Sequence, residues 1–232
     1  MGNIIKMKWK MIEVLTNPNK FFETRIKGEE SLMIPVLIVL INGIISGGTV
    51  AFLIVSVSRQ ILPPEVHPEV HSLALKFGIN SFILMTFFAF VAWLVVAAVF
   101  FGISWIYEGK GGFMRTLEFV GYGLYGFIPS ILGGLISAVL VYNFVSTMHI
   151  PQIIDPMMTE ATIRQIEQIA KQSPIMRLSS IVGILFTLWS GIIWVFGLKH
   201  ARNLSTKNAL ITVAIPVMVH ILYSIYQMGV FK

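Results

Sequence analysis

An all-α polytopic membrane protein is the fold class this sequence predicts: five transmembrane helices, an N-terminal amphipathic helix and a short outer-face helix. Three observations carry the prediction. First, five stretches free of Asp, Glu, Lys and Arg run Leu32–Val57, Phe77–Tyr107, Phe119–Ile150, Leu178–Leu198 and Asn208–Phe231. Each meets the ~20 residues a helix needs to cross ~30 Å of hydrocarbon. Second, the 232 residues are 56% hydrophobic and 12% charged, against about 25% charged in a soluble domain. Third, the mean hydropathy is +0.80. The spans consume most of the length, so residues 1–31 read as a cytoplasmic amphipathic lead-in and residues 32–232 as one five-helix transmembrane domain.

The chain contains no cysteine, which excludes disulfides, thiolate metal sites and cysteine nucleophiles together. Its net charge is +6, but the positive residues sit in short segments beside the spans. There they act as topology signals, and no nucleic-acid partner is expected. With five spans the termini face opposite sides. Eleven Lys/Arg fall on the N-terminal side, among them Lys6, Lys8, Lys10, Lys110, Arg115, Lys199, Arg202 and Lys207, and six on the other. The positive-inside rule then places the N-terminus in the cytoplasm and the C-terminus outside, in the cell membrane rather than an organelle. No apolar core followed by a small-residue cleavage site is found in residues 1–31, so no cleavable signal is expected. Lys6 stands where a myristoylation motif requires Ser or Thr.

Taken in chain order, residues 4–15 come first. Ile4, Ile5, Met7, Met11, Ile12 and Leu15 share one helical face and Lys6, Lys10 and Glu13 the other. Such a helix lies in the headgroup region. Asn17-Pro18 ends it. The first outer loop repeats Pro-Glu-Val-His, with His67 and His71 four residues apart. Pro68 interrupts the helix that would align the two imidazoles, so no metal site is expected; at best a helix begins at Pro68. In the outer segment 149–177, Asp155 and Pro156 suit a helix start. Ile163, Ile166 and Ala170 make an apolar stripe, and Ser173-Pro174 closes it.

In the third span, Gly126, Ser130, Gly134 and Ala138 recur every four residues, and the first span carries Gly43-xxx-Gly47. Small residues at that spacing let a second backbone approach, either within the chain or across a homo-oligomer. Pro129 and Pro216 each remove a helix hydrogen bond. Ionisable groups at bilayer depth are scarce; His220 is the deep one. A transporter for a small molecule, ion or lipid would use it, in a cavity with Tyr122, Tyr125, Asn143 and Tyr223. An enzyme would need Ser104 paired with His220. Ser104 lies ~5 Å and His220 ~18 Å from the same end of their spans at 1.5 Å per residue, too far apart for a nucleophile and its base. No HExxH, GxSxG or Walker A motif occurs. No catalytic residue and no cofactor is assigned.

The second cytoplasmic segment reads Gly109-Lys110-Gly111-Gly112-Phe113-Met114-Arg115-Thr116-Leu117, followed by Gly121-Tyr122 and Pro129. This resembles the Yip1 domain family, in which a glycine-rich loop, a Phe and a GY…P stretch open the third of five spans. Asn17-Pro18 with Phe21-Phe22, and Gly197-Leu198 with Leu204-Ser205-Thr206-Lys207-Asn208-Ala209, are similar to that family's lead-in and to its last connection. The likeness covers essentially the whole chain. It implies a non-enzymatic five-span protein organising membranes or partner proteins. Eukaryotic members bind Rab-type GTPases and assist vesicle traffic. This chain lacks their long N-terminal region and their Asp-Leu-x-Gly-Pro motif and looks like a short prokaryotic-type member. The bilayer and a protein partner at the cytoplasmic face are the expected contacts. There Lys110 and Arg115 would meet anionic lipid at about 1 kcal/mol each, with Glu108 and Glu118 pairing to them or meeting the partner.

Overall fold

The computed structural model describes residues 12–61, 68–127, 139, 142 and 174–227. Residues 12–16 are helical and lead through Asn17 into α1 (Pro18–Arg25). Then come α2 (Met33–Ile61), α3 (Pro68–Trp105), α4 (Phe113–Gly123) with a 3-10 turn over Leu124–Phe127, α5 (Pro174–Ala201) and α6 (Thr206–Gln227). Every described element is a helix or turn. Four stretches are long and apolar enough to cross a membrane: Met33–Ser56, Ser72–Trp105, Ser180–Ala201 and Thr206–Tyr226. They match four of the five expected spans. Most of the other, Phe119–Ile150, lies outside the described residues, as do the outer-face helix, His67 and most of the amphipathic helix over 4–15.

α3 starts at Pro68, where the sequence allowed a helix to begin, nine residues before the uncharged stretch. One boundary differs from the sequence reading: α5 starts at Pro174. Proline's fixed φ and missing N–H suit the first helical turn, so Pro174 opens a helix where the sequence had it close one. The apolar part of α3 covers 34 residues, ~51 Å at 1.5 Å per residue. That exceeds ~30 Å of hydrocarbon, so α3 tilts or stands proud of the bilayer.

α2 and α3 form one closely packed pair. Cβ atoms placed at Gly43 and Gly47 would come within 3.0 Å of Thr86 Cα and 2.7 Å of Phe82 O, so the two backbones are in contact where these glycines lie. α5 and α6 form the second pair, and α4 contacts α2, α3 and α5. From Arg115 to Gly123 every residue of α4 is buried. One core cluster joins Val39, Trp93, Phe100, Leu117, Val120, Trp194, Leu198 and Val213. A second joins Val14, Phe21, Phe22, Ile38, Phe119, Tyr122 and Ile193, fixing residues 12–25 to the bundle. Phe77, Ile83 and Phe87 of α3 are more than half exposed, the pattern of a helix facing lipid.

Candidate functional site

Among the described residues, the polar chemistry gathers at one end of the bundle. That end is formed by residues 17–32, 106–112 and 202–205, and is called the basic end here. The loop of 106–112 turns with Glu108 at φ 55° and Gly111 at φ 113°. A side chain at Gly111 would also run into the Ala201 carbonyl, so glycine is required there twice over. Across from this loop, Asn203 takes φ 52°.

Arg202 joins the two turns. Its side chain is 1% exposed. Nε donates to Ser104 Oγ at 2.9 Å, Nη2 donates to Gly109 O at 2.6 Å, and Nη1 donates to Gly111 O. The guanidinium also stands over the Phe101 ring, 4.2 Å from its centroid. The Lys110 N–H donates to Arg202 O at 2.8 Å. A fork of fixed donors suits three convergent acceptors in a way that a lysine ammonium does not. Burial lowers the Arg202 pKa.

The second polar knot ties the lead-in to α4. Arg115 Nη1 donates to Glu118 Oε2 at 2.8 Å and Nη2 donates to Gly28 O at 2.6 Å. Glu30 lies 3.7 Å from Arg115 Nε, and Arg25 Nη2 stands 2.5 Å from Glu118 Oε1. That last contact is an ion pair. Glu118 is fully buried. Burial pushes its carboxyl above the ordinary range, with Arg25 and Arg115 pulling the other way.

α4 is also held by two indoles. Trp93 Nε1 donates to Leu117 O and Trp194 Nε1 to Val120 O, each at 2.9 Å. A Cβ at Gly121 would strike Pro35 and crowd Trp93, and one at Gly123 would strike the Trp194 indole. Gly121-Tyr122-Gly123 is therefore a packing device, with both glycines admitting the indoles. Tyr122 between them meets Phe21 edge-on at 5.0 Å. In α2, Asn42 Nδ2 donates to Ile38 O at 2.8 Å and reaches Leu124 O at 3.4 Å.

The expected site residues separate accordingly. Glu108 and Lys110 are exposed on the fixed loop. Arg115 and Glu118 are buried and paired with each other, not displayed to lipid, because α4 enters the bundle at its first turn. Of the polar-cavity set, Tyr122 lies in the aromatic cluster and Tyr125 packs partly buried against it, whereas His220 and Tyr223 are exposed on α6. Asn143 lies outside the described residues, as do Ser130, Gly134 and Ala138. Gly126 faces Ser190 of α5 within the chain. Ser104 accepts from Arg202 and donates to Phe101 O at 2.6 Å. Sequence reasoning missed Arg202, Arg25, Trp93, Trp194 and Asn42. A lone Arg between two spans was counted only toward topology, and no local spacing tells a clamping Trp from a lipid-facing one.

Several apolar crossing helices packed around a buried short helix define an integral, polytopic helical membrane protein. The chain belongs to the Yip1 domain family, whose Yip1 domain matches residues 12–227. It is also similar to an uncharacterised protein of Methanocaldococcus jannaschii, 38% identical over 133 residues, covering 57% of this chain and 88% of that one. No solved structure matches.

Proposed function

We propose that this chain is a non-enzymatic membrane organiser that offers its basic end to a protein partner. One observation carries the reading: the loop holding Glu108 and Lys110 is fixed from beneath by Arg202, which contacts it through Gly109 O and Gly111 O. The two exposed side chains, of opposite charge, stand on backbone that is already ordered. A preorganised loop loses less entropy on binding, and exposed charges set specificity and encounter rate. Glu118, Arg115 and Ser104 are engaged inside the bundle, and this supports a scaffold over a catalyst.

In the same reading, Phe119–Ile150 completes a fifth span, the basic end faces the cytoplasm, the C-terminus lies outside, and the protein resides in the cell membrane. Residues 4–15 continue the lead-in as an amphipathic helix. A GTPase partner is supported only by likeness to eukaryotic members. Gly43, Gly47 and Gly126 pack inside the chain, which favours a monomer over a homo-oligomer held by those faces. The absence of cysteine makes the topology directly testable. Single cysteines at Lys27 and Val230 should label from opposite sides of the membrane, and labelling from one side would sink the five-span reading. For the partner, a photo-crosslinker at Lys110 in native membranes, read by mass spectrometry, should give a discrete adduct that Glu108→Lys abolishes. An adduct pattern indifferent to that charge reversal would refute the docking loop.

A further inference from the structure

A shallow groove of about 410 Å³ runs along the exposed face of α5, bordered by residues 15–19 and floored by Trp189, Ile192 and Phe196. Its two halves differ in chemistry. The floor belongs to a membrane-crossing segment and is apolar, with Trp189 and Ile192 about half exposed. The border carries the polar side chains of Thr16 and Asn19. At that border the Lys199 Nζ donates to Asn19 Oδ1 at 3.2 Å and lies 6.0 Å from the Phe196 ring centroid. The His200 ring meets the same oxygen at 3.0 Å. An ammonium has three donors; Asn19 takes one of those on Lys199 and no carboxylate pairs with it among the described residues. Glu23 of α1 acts electrostatically on the neighbouring His200.

We propose that this groove is a binding site for one anionic phospholipid of the bilayer. An acyl chain lies along Trp189, Ile192 and Phe196, and the phosphate is held by Lys199 beside Asn19. The occupant is chosen by amphiphilicity. A water-soluble phosphate has no use for the apolar floor, and a zwitterionic headgroup gains less from an ammonium that no described carboxylate neutralises. A charge-assisted hydrogen bond to phosphate is short and strong. Asn19, beside Lys199, sits on α1, which Phe21 and Phe22 anchor in the bundle. The inference is independent of any protein partner, and its readout does not involve one.

The test is native mass spectrometry of the full chain, released from detergent with dioleoyl phosphatidylglycerol, dioleoyl phosphatidylcholine or deacylated glycerophosphoglycerol. The wild type should retain one phosphatidylglycerol in preference to phosphatidylcholine. Lys199→Gln should weaken retention about tenfold, the scale of one hydrogen bond to a charged group, while Lys207→Gln at an exposed lysine elsewhere leaves it unchanged. Should Lys199→Gln fail to fold, Ile192→Trp fills the groove at an exposed position, keeps the charge, and should likewise lose the lipid. Equal retention of both lipids by the wild type would overturn the proposal. So would retention unchanged in Lys199→Gln and Ile192→Trp, or displacement of the lipid by the deacylated headgroup.

Discussion

Arg202 Nε donates to Ser104 Oγ at 2.9 Å, joining residues 98 apart in sequence at the ends of α3 and α5. This bond has two consequences. The Ser104 hydroxyl is committed, since it also donates to Phe101 O, so it does not stand free as a nucleophile. And the same side chain, together with the Lys110 N–H bond to Arg202 O, makes the two loops of the basic end one body.

Arg202→Ala should therefore do more than remove a charge. It removes the donor to the buried Ser104 Oγ and the bonds to Gly109 O and Gly111 O, which are only partly buried and can turn to water, so the loss should be about 1–3 kcal/mol in total. Arg202→Lys keeps the charge but lacks the planar fork, and should fall between the wild type and Arg202→Ala. Thermal unfolding in detergent, followed by tryptophan fluorescence, ranks the three proteins. An alanine variant melting with the wild type would show that the lock contributes nothing.

The glycines of α4 make a sharper prediction, because their neighbours are rigid. Gly123→Ala drives a methyl into the Trp194 indole, which itself donates to Val120 O, and should cost about 1–3 kcal/mol as overpacking does. Gly48→Ala in α2 meets open space and should be neutral or stabilising by about 0.5–1 kcal/mol. Adding Trp194→Phe to Gly123→Ala should cost less than the two losses summed, since the residues touch. Additive losses in a double-mutant cycle would place the indole elsewhere.

How much of this was legible follows from what each signal depends on. The spans were, because absence of charge over some twenty residues is a local property that lipid imposes. So was the Gly109–Gly112 turn, whose glycine at φ 113° is a local backbone demand. The burial of Arg115 and Glu118 was not. Their i, i+3 spacing fits a solvated helix surface as well as a buried pair, and only Arg25 and Gly28, far away in sequence, decide between them. Tyr122 was assigned to a polar cavity on its hydroxyl, whereas its ring packs among Phe21, Phe22 and Phe119. His220 was singled out by its depth in the span, and depth says nothing about which face of α6 it occupies.

Gly47 tests whether the small-residue face of α2 serves the chain itself or a second copy. A Cβ there meets the Phe82 backbone, which cannot swing aside as a side chain would. Gly47→Val should lower stability by about 1–3 kcal/mol and leave the mass in solution unchanged by light scattering. A variant of undiminished stability that turned a dimer into monomers would reverse the assignment.

Glu118 supplies a pH test whose sign separates two opposed effects. Burial raises its folded-state pKa above the ordinary 4.5, while Arg25 and Arg115 act to lower it. For a carboxyl raised on folding, the folded chain holds the proton more tightly than the unfolded one. Its stabilising contribution is fullest below the unfolded pKa and is lost as pH rises through the folded pKa. Glu118→Gln keeps the shape and removes the titration. The wild type should therefore compare best with Glu118→Gln at acid pH, below the unfolded carboxyl's range, and lose ground as pH rises above it. The opposite trend, with the wild type gaining as pH rises, would mean that the two arginines outweigh desolvation and hold the carboxylate ionised. In that case the knot joining the lead-in to α4 would work as a true ion pair, weakened by acid, and a drop in pH would loosen residues 12–25 from the bundle.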